Sequence, residues 1–285
     1  MRPALPALPL GATCIALSPI FVRLSEAGPT ATAFWRTALA LPVLWPLFFL
    51  QNRSRRPATA GGSALLLAAG LAFAGDLAFW HAAIGLTSVA NSTLLANLAS
   101  IFVTLAAWAL FGQRPSALFL AGLAAALGGV VLLVQSTLRF STHGLLGDAF
   151  GVLTALFYAG YLLAVKALRD RSAGTLLIMA VTSTVTTLAL LPIALVSGER
   201  IVPVSGGGWL DLLGLALVSH AAGQGLIAYA LAHLPAALSS VSLLLQPVMA
   251  ALFAWSLLAE PLSPLQLVGG AIVLGGIYLA RRGSA

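Results

Sequence analysis

Charge is what this sequence has least of. Seven acidic and 14 basic residues serve all 285 positions, so charged side chains make up 7% of the chain. Soluble domains carry about a quarter. With a mean hydropathy of +1.03, the chain lacks the polar coat that keeps a surface in water, so that surface must meet lipid. Cysteine is almost missing too: Cys14 stands alone inside an apolar run, which excludes a disulfide framework. Catalytic signatures are also missing from the sequence. It holds no HExxH, GxSxG or Walker GxxxxGK[ST] motif and no Cys/His cluster with metal spacing. Neither an enzyme, a cofactor nor a nucleotide site is implied, and uphill transport would have to draw on an ion gradient. The basic balance does not point to nucleic acid, because the basic residues are thinly spread between apolar runs.

What is abundant is apolar sequence, at 60% of residues. A helix needs roughly 17–25 apolar residues to cross the hydrocarbon. Ten segments qualify, near 8–24, 33–50, 64–86, 89–111, 117–135, 145–167, 175–196, 209–232, 236–258 and 265–280. Turn-forming stretches such as Glu26-Ala27-Gly28-Pro29, Gly112-Gln113-Arg114-Pro115 and Ser197-Gly198-Glu199-Arg200 separate them. Two splits, at Thr87-Ser88 and Leu234-Pro235, rest on length: each divides a run of about twice the length one span needs. The first segment ends in Arg23 and leads into further spans, so it is read as a membrane helix and not a cleaved leader. No segment alternates as a barrel strand would. The chain is expected to be an all-α integral membrane protein of ten transmembrane helices.

Ten spans place both termini on one side. With the N-terminus inside, the inner side holds Arg2, Arg53, Arg55, Arg56, Arg114, Lys166, Arg169, Arg171, Arg281 and Arg282, against Arg23, Arg139 and Arg200 outside. That asymmetry puts both ends in the cytoplasm of a cell whose inner membrane the chain spans.

Sliding the chain against itself gives one gapless match, at an offset of 147: from Ala83 to Leu132, 17 of 50 positions repeat in Ala230 to Leu279. Trp108 falls on Trp255, Gly122 on Gly269, and Gly128-Gly129 on Gly275-Gly276. The unit is five helices used twice, over 1–138 and 144–285. Five is odd, so the second copy enters from the opposite side. Inverted-topology repeats of this kind mark secondary transporters with a site at the midplane between the halves.

These residues resemble the drug/metabolite transporter superfamily, EamA-type. The phrase Ala33-Phe34-Trp35-Arg36 and the stretch from Gln246-Pro247 through Leu258-Ala259-Glu260-Pro261 to Gly269-Gly270 carry the resemblance over the whole chain. It implies ten helices from two five-helix repeats, and export of small organic solutes. Members resembling this chain include bacterial exporters of amino acids, aromatic ones among them. The first repeat departs from the pattern: Ala99-Ser100 stands where the fourth helix usually has a proline, and Gln113 replaces its terminal glutamate.

Polar groups in hydrocarbon are costly unless paired or wetted, so polar stripes mark cavity-facing helix faces. The fourth segment carries Thr93, Asn97, Ser100 and Thr104 at i, i+4, i+7, i+11, and the ninth carries Ser239, Ser242 and Gln246 before Pro247. Pro247 cannot donate to the Leu243 carbonyl, which predicts a kink and a free acceptor. The sixth segment has Thr154, Tyr158 and Tyr161, the eighth His220 and Gln224, and the third Asp76, Trp80 and His81. Single hydroxyls also serve as glue between helices, but stripes at similar depth point to a shared cavity. Asp76, the one acid well inside a span, would meet a substrate amine or a proton. Asn97, Ser100, Gln224 and Gln246 would supply hydrogen bonds, His81 and His220 neutral lining, and Trp80, Tyr158 and Tyr161 stacking surface. Arg36, close to the predicted end of its span, is expected to snorkel to the headgroups. Trp108 and Trp255 read as interfacial anchors. The spacings Ala124/Gly128, Ala125/Gly129 and Ala271/Gly275 read as close helix packing.

A small-molecule exporter, most readily of amino acids, fits these features best. Efflux of a cationic drug or amphiphile needs only Asp76. A receptor is disfavoured by short loops, a lipid-handling protein is a further class, and an intramembrane enzyme lacks paired catalytic groups.

Overall fold

The computed structural model describes residues 4–51, 62–86, 89–135 and 145–284. Among them, ten helices are long and apolar enough to cross a membrane: α1 Pro6–Leu24, α2 Pro29–Gln51, α3 Gly62–Ile84, α4 Ser92–Leu110, α5 Ala117–Val134, α6 Leu145–Asp170, α7 Thr175–Val196, α8 Gly206–Ala230, α9 Ala236–Leu258 and α10 Pro264–Gly283. No strand occurs among the described residues. Backbone polar groups are met inside helices, as lipid requires. The expected all-α fold of ten spans is the fold found. The split at Leu234-Pro235 is a turn between α8 and α9. The split at Thr87-Ser88, the junction between the repeats, and Arg2, Arg53, Arg55, Arg56 and Arg139 lie outside the described residues. Val196, Leu110 and Leu210 are among the large apolar side chains on the outer surface, at 83%, 70% and 69% exposed.

The 147-residue correspondence recurs as local structure. Ser116 caps α5, its Oγ accepting from Phe119 N at 3.1 Å, and Ser263 caps α10, accepting from Gln266 N at 3.2 Å. Just before them, α4 ends on Gly112 and α9 on Ala259, both left-handed at φ 66° and 54°. The helices that follow pack backbone to backbone. A methyl group added at Gly129 would meet Gly269 O and Val273 N at 2.7 Å, and one at Gly276 would meet Ala126 N at 2.5 Å. Nothing lies within 4 Å of a methyl group at Gly128 or Gly275. The contact therefore runs through Gly122, Gly129, Gly269 and Gly276, and the spacings through Gly128 and Gly275 point away from it.

Four spans are interrupted near their middles. Helix α1 breaks between Ala4–Ala16 and Ser18–Leu24, α2 between Pro29–Ala38 and Leu41–Gln51, α4 between Val89–Ala96 and Ala99–Phe111, and α9 between Ala236–Ser242 and Leu245–Leu258. Proline accounts for three of them, since Pro19, Pro42 and Pro247 each lack the N–H that would continue the ladder. The fourth needs another cause. In α4, Asn97 Nδ2 donates to Thr93 O and Ser100 Oγ to Asn97 O, each at 2.7 Å. Leu98 N and Ile101 N tighten to three-residue bonds at 3.0 and 2.9 Å. Side chains competing for backbone groups loosen the helix where proline would have broken it.

One side of the bundle is sewn shut by carboxylates. Glu199, after α7, accepts from Thr30 N at 2.8 Å and Thr30 Oγ1 at 3.1 Å, capping α2. Glu26, after α1, accepts from Ser205 Oγ at 2.6 Å and from Val204 N and Ser205 N at 2.8 and 3.0 Å, holding Ser205, the residue that caps α8. Arg23 pairs with Glu260 between α9 and α10, and Trp35 Nε1 donates to Ile201 O at 2.7 Å. Loops expected on one face of the membrane are thus joined to each other. The Ser205 hydroxyl, then the two backbone N–H groups, hold the Glu26 carboxyl below the usual glutamate range. A carboxyl so lowered contributes stability above the ordinary value of about 4.3, and the contribution is lost as pH falls through the lowered one. Glu26→Gln should lower the melting temperature at pH 7 and lose less than the wild type on acidification below about pH 4. Parallel melting curves in detergent check this, and equal acid losses in both proteins would contradict it.

Candidate functional site

Three of the four breaks converge. A cavity of about 120 Å³ lies among α1, α2, α3, α4, α6, α8 and α9. Its wall includes Ala16 and Ser18 either side of the α1 break, Asn97 at the α4 break, and Leu243 and Leu244 at the α9 break. Discontinuous helices expose backbone only where it lines a cavity, because lipid offers no hydrogen bonds.

Of the stripe hydroxyls, Thr93 and Thr154 line this cavity, and Thr104, Ser239 and Ser242 do not. Of the ten candidate site residues, Asp76, Trp80, Asn97, Ser100, Tyr158, Gln224 and Gln246 line it. Three others do not. His81 bonds to Leu77 O at 2.7 Å on its own helix. His220 bonds to Ser183 on α7 at 2.8 Å and stacks on Phe73 at 5.4 Å. Tyr161 packs on the other contact of Phe73, at 4.7 Å between centroids, and is 2% exposed. Sequence spacing put His220 and Gln224 on one face, but residues Leu215–Gln224 form a wider π-helix. There Gln224 reaches the cavity and His220 turns to α7.

Two further expectations are corrected. The Leu243 carbonyl is not left free by Pro247, because Gln246 N donates to it at 2.9 Å. Arg36 does not snorkel. Helix α2 begins at Pro29, so Arg36 lies two turns inside its span, is 4% exposed, and lines the cavity. The hydropathy window trimmed the polar first turn of α2, with Thr30 and Thr32, and so moved Arg36 toward the membrane surface. The proline at the start of a helix was the signal that could have found it.

The cavity therefore holds one fixed cation and one acid on neighbouring helices. Arg36 and Asp76 lie within electrostatic reach, yet no ion pair joins them within 4.0 Å. Tyr158 lies against the amides of Gln224 and Gln246. Ser18 Oγ, Arg36 Nε and Gln224 Oε1 are buried without a partner among the described residues. Buried polar atoms normally find partners, and these three belong to side chains of one cavity wall. Among the described residues, no group of three or more His, Cys, Asp or Glu side chains could hold a metal ion.

A model of the EamA-like transporter family matches residues 3–135 and again 145–282. The chain belongs to that family. It is 30% identical over 269 residues to an uncharacterized transporter of Archaeoglobus fulgidus, covering 91% of each chain. It is also 33% identical over 197 residues to a protein of Streptantibioticus cattleyicolor named a probable terminal-alkyne amino-acid exporter, covering 67% of this chain and 64% of that one. A crystal structure with 18% identity superposes with a TM-score of 0.82 over 98% of this chain and 97% of the other, which shows the shared fold. This EamA-family member is a transporter embedded in a membrane by many spans.

Within its cavity the neutral donors differ in availability. Asn97 and Ser100 already donate to their own helix, whereas the Gln246 amide lines the cavity near Tyr158. A hydrogen bond to a charged group is worth about 1.5–3 kcal/mol, or roughly 10- to 150-fold in affinity. Gln246→Ala should thus lower substrate affinity within that range, and Asn97→Ala by less. Transport assays at matched expression test the order, and a larger loss at Asn97 would reverse it.

Proposed function

We propose that this EamA-family protein is a secondary transporter that exports small organic solutes, amino acids foremost, by alternating access around the mid-membrane cavity. The observation that carries this reading is the meeting of the α1, α4 and α9 breaks at one cavity that holds Arg36, Asp76 and the amides of Asn97, Gln224 and Gln246. The two repeats, 1–138 and 144–285, would rock about it in the inner membrane with both termini cytoplasmic. The relative named as an exporter of an amino acid supports the substrate class. Efflux of cations is the lesser reading, because Arg36 shares the cavity with Asp76 and repels a bare cation.

Flux into and out of proteoliposomes, measured with a panel of amino acids and a cationic dye, tests the proposal. Movement of amino acids and not of the dye is the expected result. Movement of the dye alone would overturn the amino-acid reading.

A further inference from the structure

We propose that Arg36 and Asp76 form a two-point receptor for the main-chain charges of an α-amino acid, Arg36 taking the carboxylate and Asp76 the ammonium. The inference rests on the cavity being the transport site and names what the site reads.

Arg36 is the stronger half of the argument. Its side chain, two turns into α2, is 4% exposed, lines the cavity, and leaves Nε buried without an acceptor. A guanidinium stays charged in proteins and offers a planar fork that matches a carboxylate. A charge at such depth is costly and calls for a partner. Asp76 is the one acidic side chain lining the cavity among the described residues. The two come from adjacent helices, α2 and α3, and stay farther apart than the 4.0 Å of an ion pair.

This arrangement fits a ligand carrying both signs. A simple anion would answer Arg36 and repel Asp76, and a simple cation the reverse. An α-amino acid sets carboxylate and ammonium on one carbon, and its dipole can lie opposed to that of the Arg36–Asp76 pair. Asn97 and Ser100 do not compete for the carboxylate role, since both are bonded within α4, and the Gln246 amide can add a hydrogen bond but no charge. The apolar remainder of the wall, with Phe73, Trp80, Leu162 and Leu243, suits the substrate side chain.

The test uses leucine and phenylalanine, their amides, which lack the carboxylate, and their deamino acids, which lack the ammonium. Competition with a labelled amino acid is measured in proteoliposomes. The wild type should prefer each amino acid over both analogues by roughly 10-fold or more. Arg36→Gln should erase the preference over the amide, and Asp76→Asn the preference over the deamino acid. Arg36→Lys, which keeps the charge and loses the fork, should fall between. If Arg36→Gln yields no folded protein, the analogue series on the wild type still decides. Amides that compete as well as the parent amino acids would overturn the two-point receptor. So would an Arg36→Gln protein that still discriminates against them. A protein that moves no α-amino acid at all would instead overturn the amino-acid reading, and this receptor with it.

Discussion

Gly276→Leu should leave little or no folded protein, and Gly129→Leu should do the same. At both positions the space a side chain needs is occupied by backbone of the facing helix, at 2.5 Å from Ala126 N and 2.7 Å from Gly269 O. Overpacking a core typically costs about 1–3 kcal/mol when neighbouring side chains can shift. Backbone cannot shift without separating α5 from α10, so the cost lies at or beyond the top of that range. Gly128→Leu and Gly275→Leu, one residue earlier, point into open space and should fold nearly normally. Size-exclusion profiles and melting curves of the four variants check this. A Gly276→Leu protein that melts like the wild type would contradict the α5–α10 packing.

Ala250→Trp should abolish transport while sparing the fold. Ala250 lines the cavity from the second half of α9, and an indole there would fill space that a solute must enter. The clash that overpacking normally brings is relieved because the new side chain enters a void and not a packed core. Leu252→Trp is the control, since Leu252 lies on the opposite face of the same helix, two residues on, and is 38% exposed. Flux should fall to background in the first and persist in the second, with both proteins monodisperse. Wild-type flux in Ala250→Trp would place the solute path elsewhere.

The spans were legible in the sequence because hydrocarbon imposes one simple rule on length and hydropathy. The repeat was legible because rare residues such as Trp108 and Trp255 recur at one offset. Much of the cavity wall was legible too, since Asp76, Asn97 and Gln246 are expensive in lipid and need a reason to be there. What the sequence hid was direction at fixed depth. Trp80 and His81 are neighbours in the chain, yet Trp80 lines the cavity and His81 bonds back to Leu77. Gly128 and Gly129 read alike as packing residues, and their different roles depend on which way each faces. Arg36 was hidden by an edge effect, because hydropathy placed the start of α2 too late. The α4 break needed side-chain hydrogen bonds that no spacing rule reports. Interrupted helices are where local sequence signals fail and where the site is built.

Substrate protection of a single cysteine tests the central claim most directly. Cys14 is the chain's one cysteine, so Cys14→Ser gives a background in which Ala250→Cys and Val202→Cys, the latter in the α7–α8 loop and 54% exposed, can be labelled one at a time. Modification by a small methanethiosulfonate reagent is timed with and without a saturating amino acid that the protein moves. If the cavity at the helix breaks is the transport site, the amino acid slows labelling at 250 several-fold and leaves 202 unchanged. Equal labelling rates at 250 with and without substrate would contradict the account.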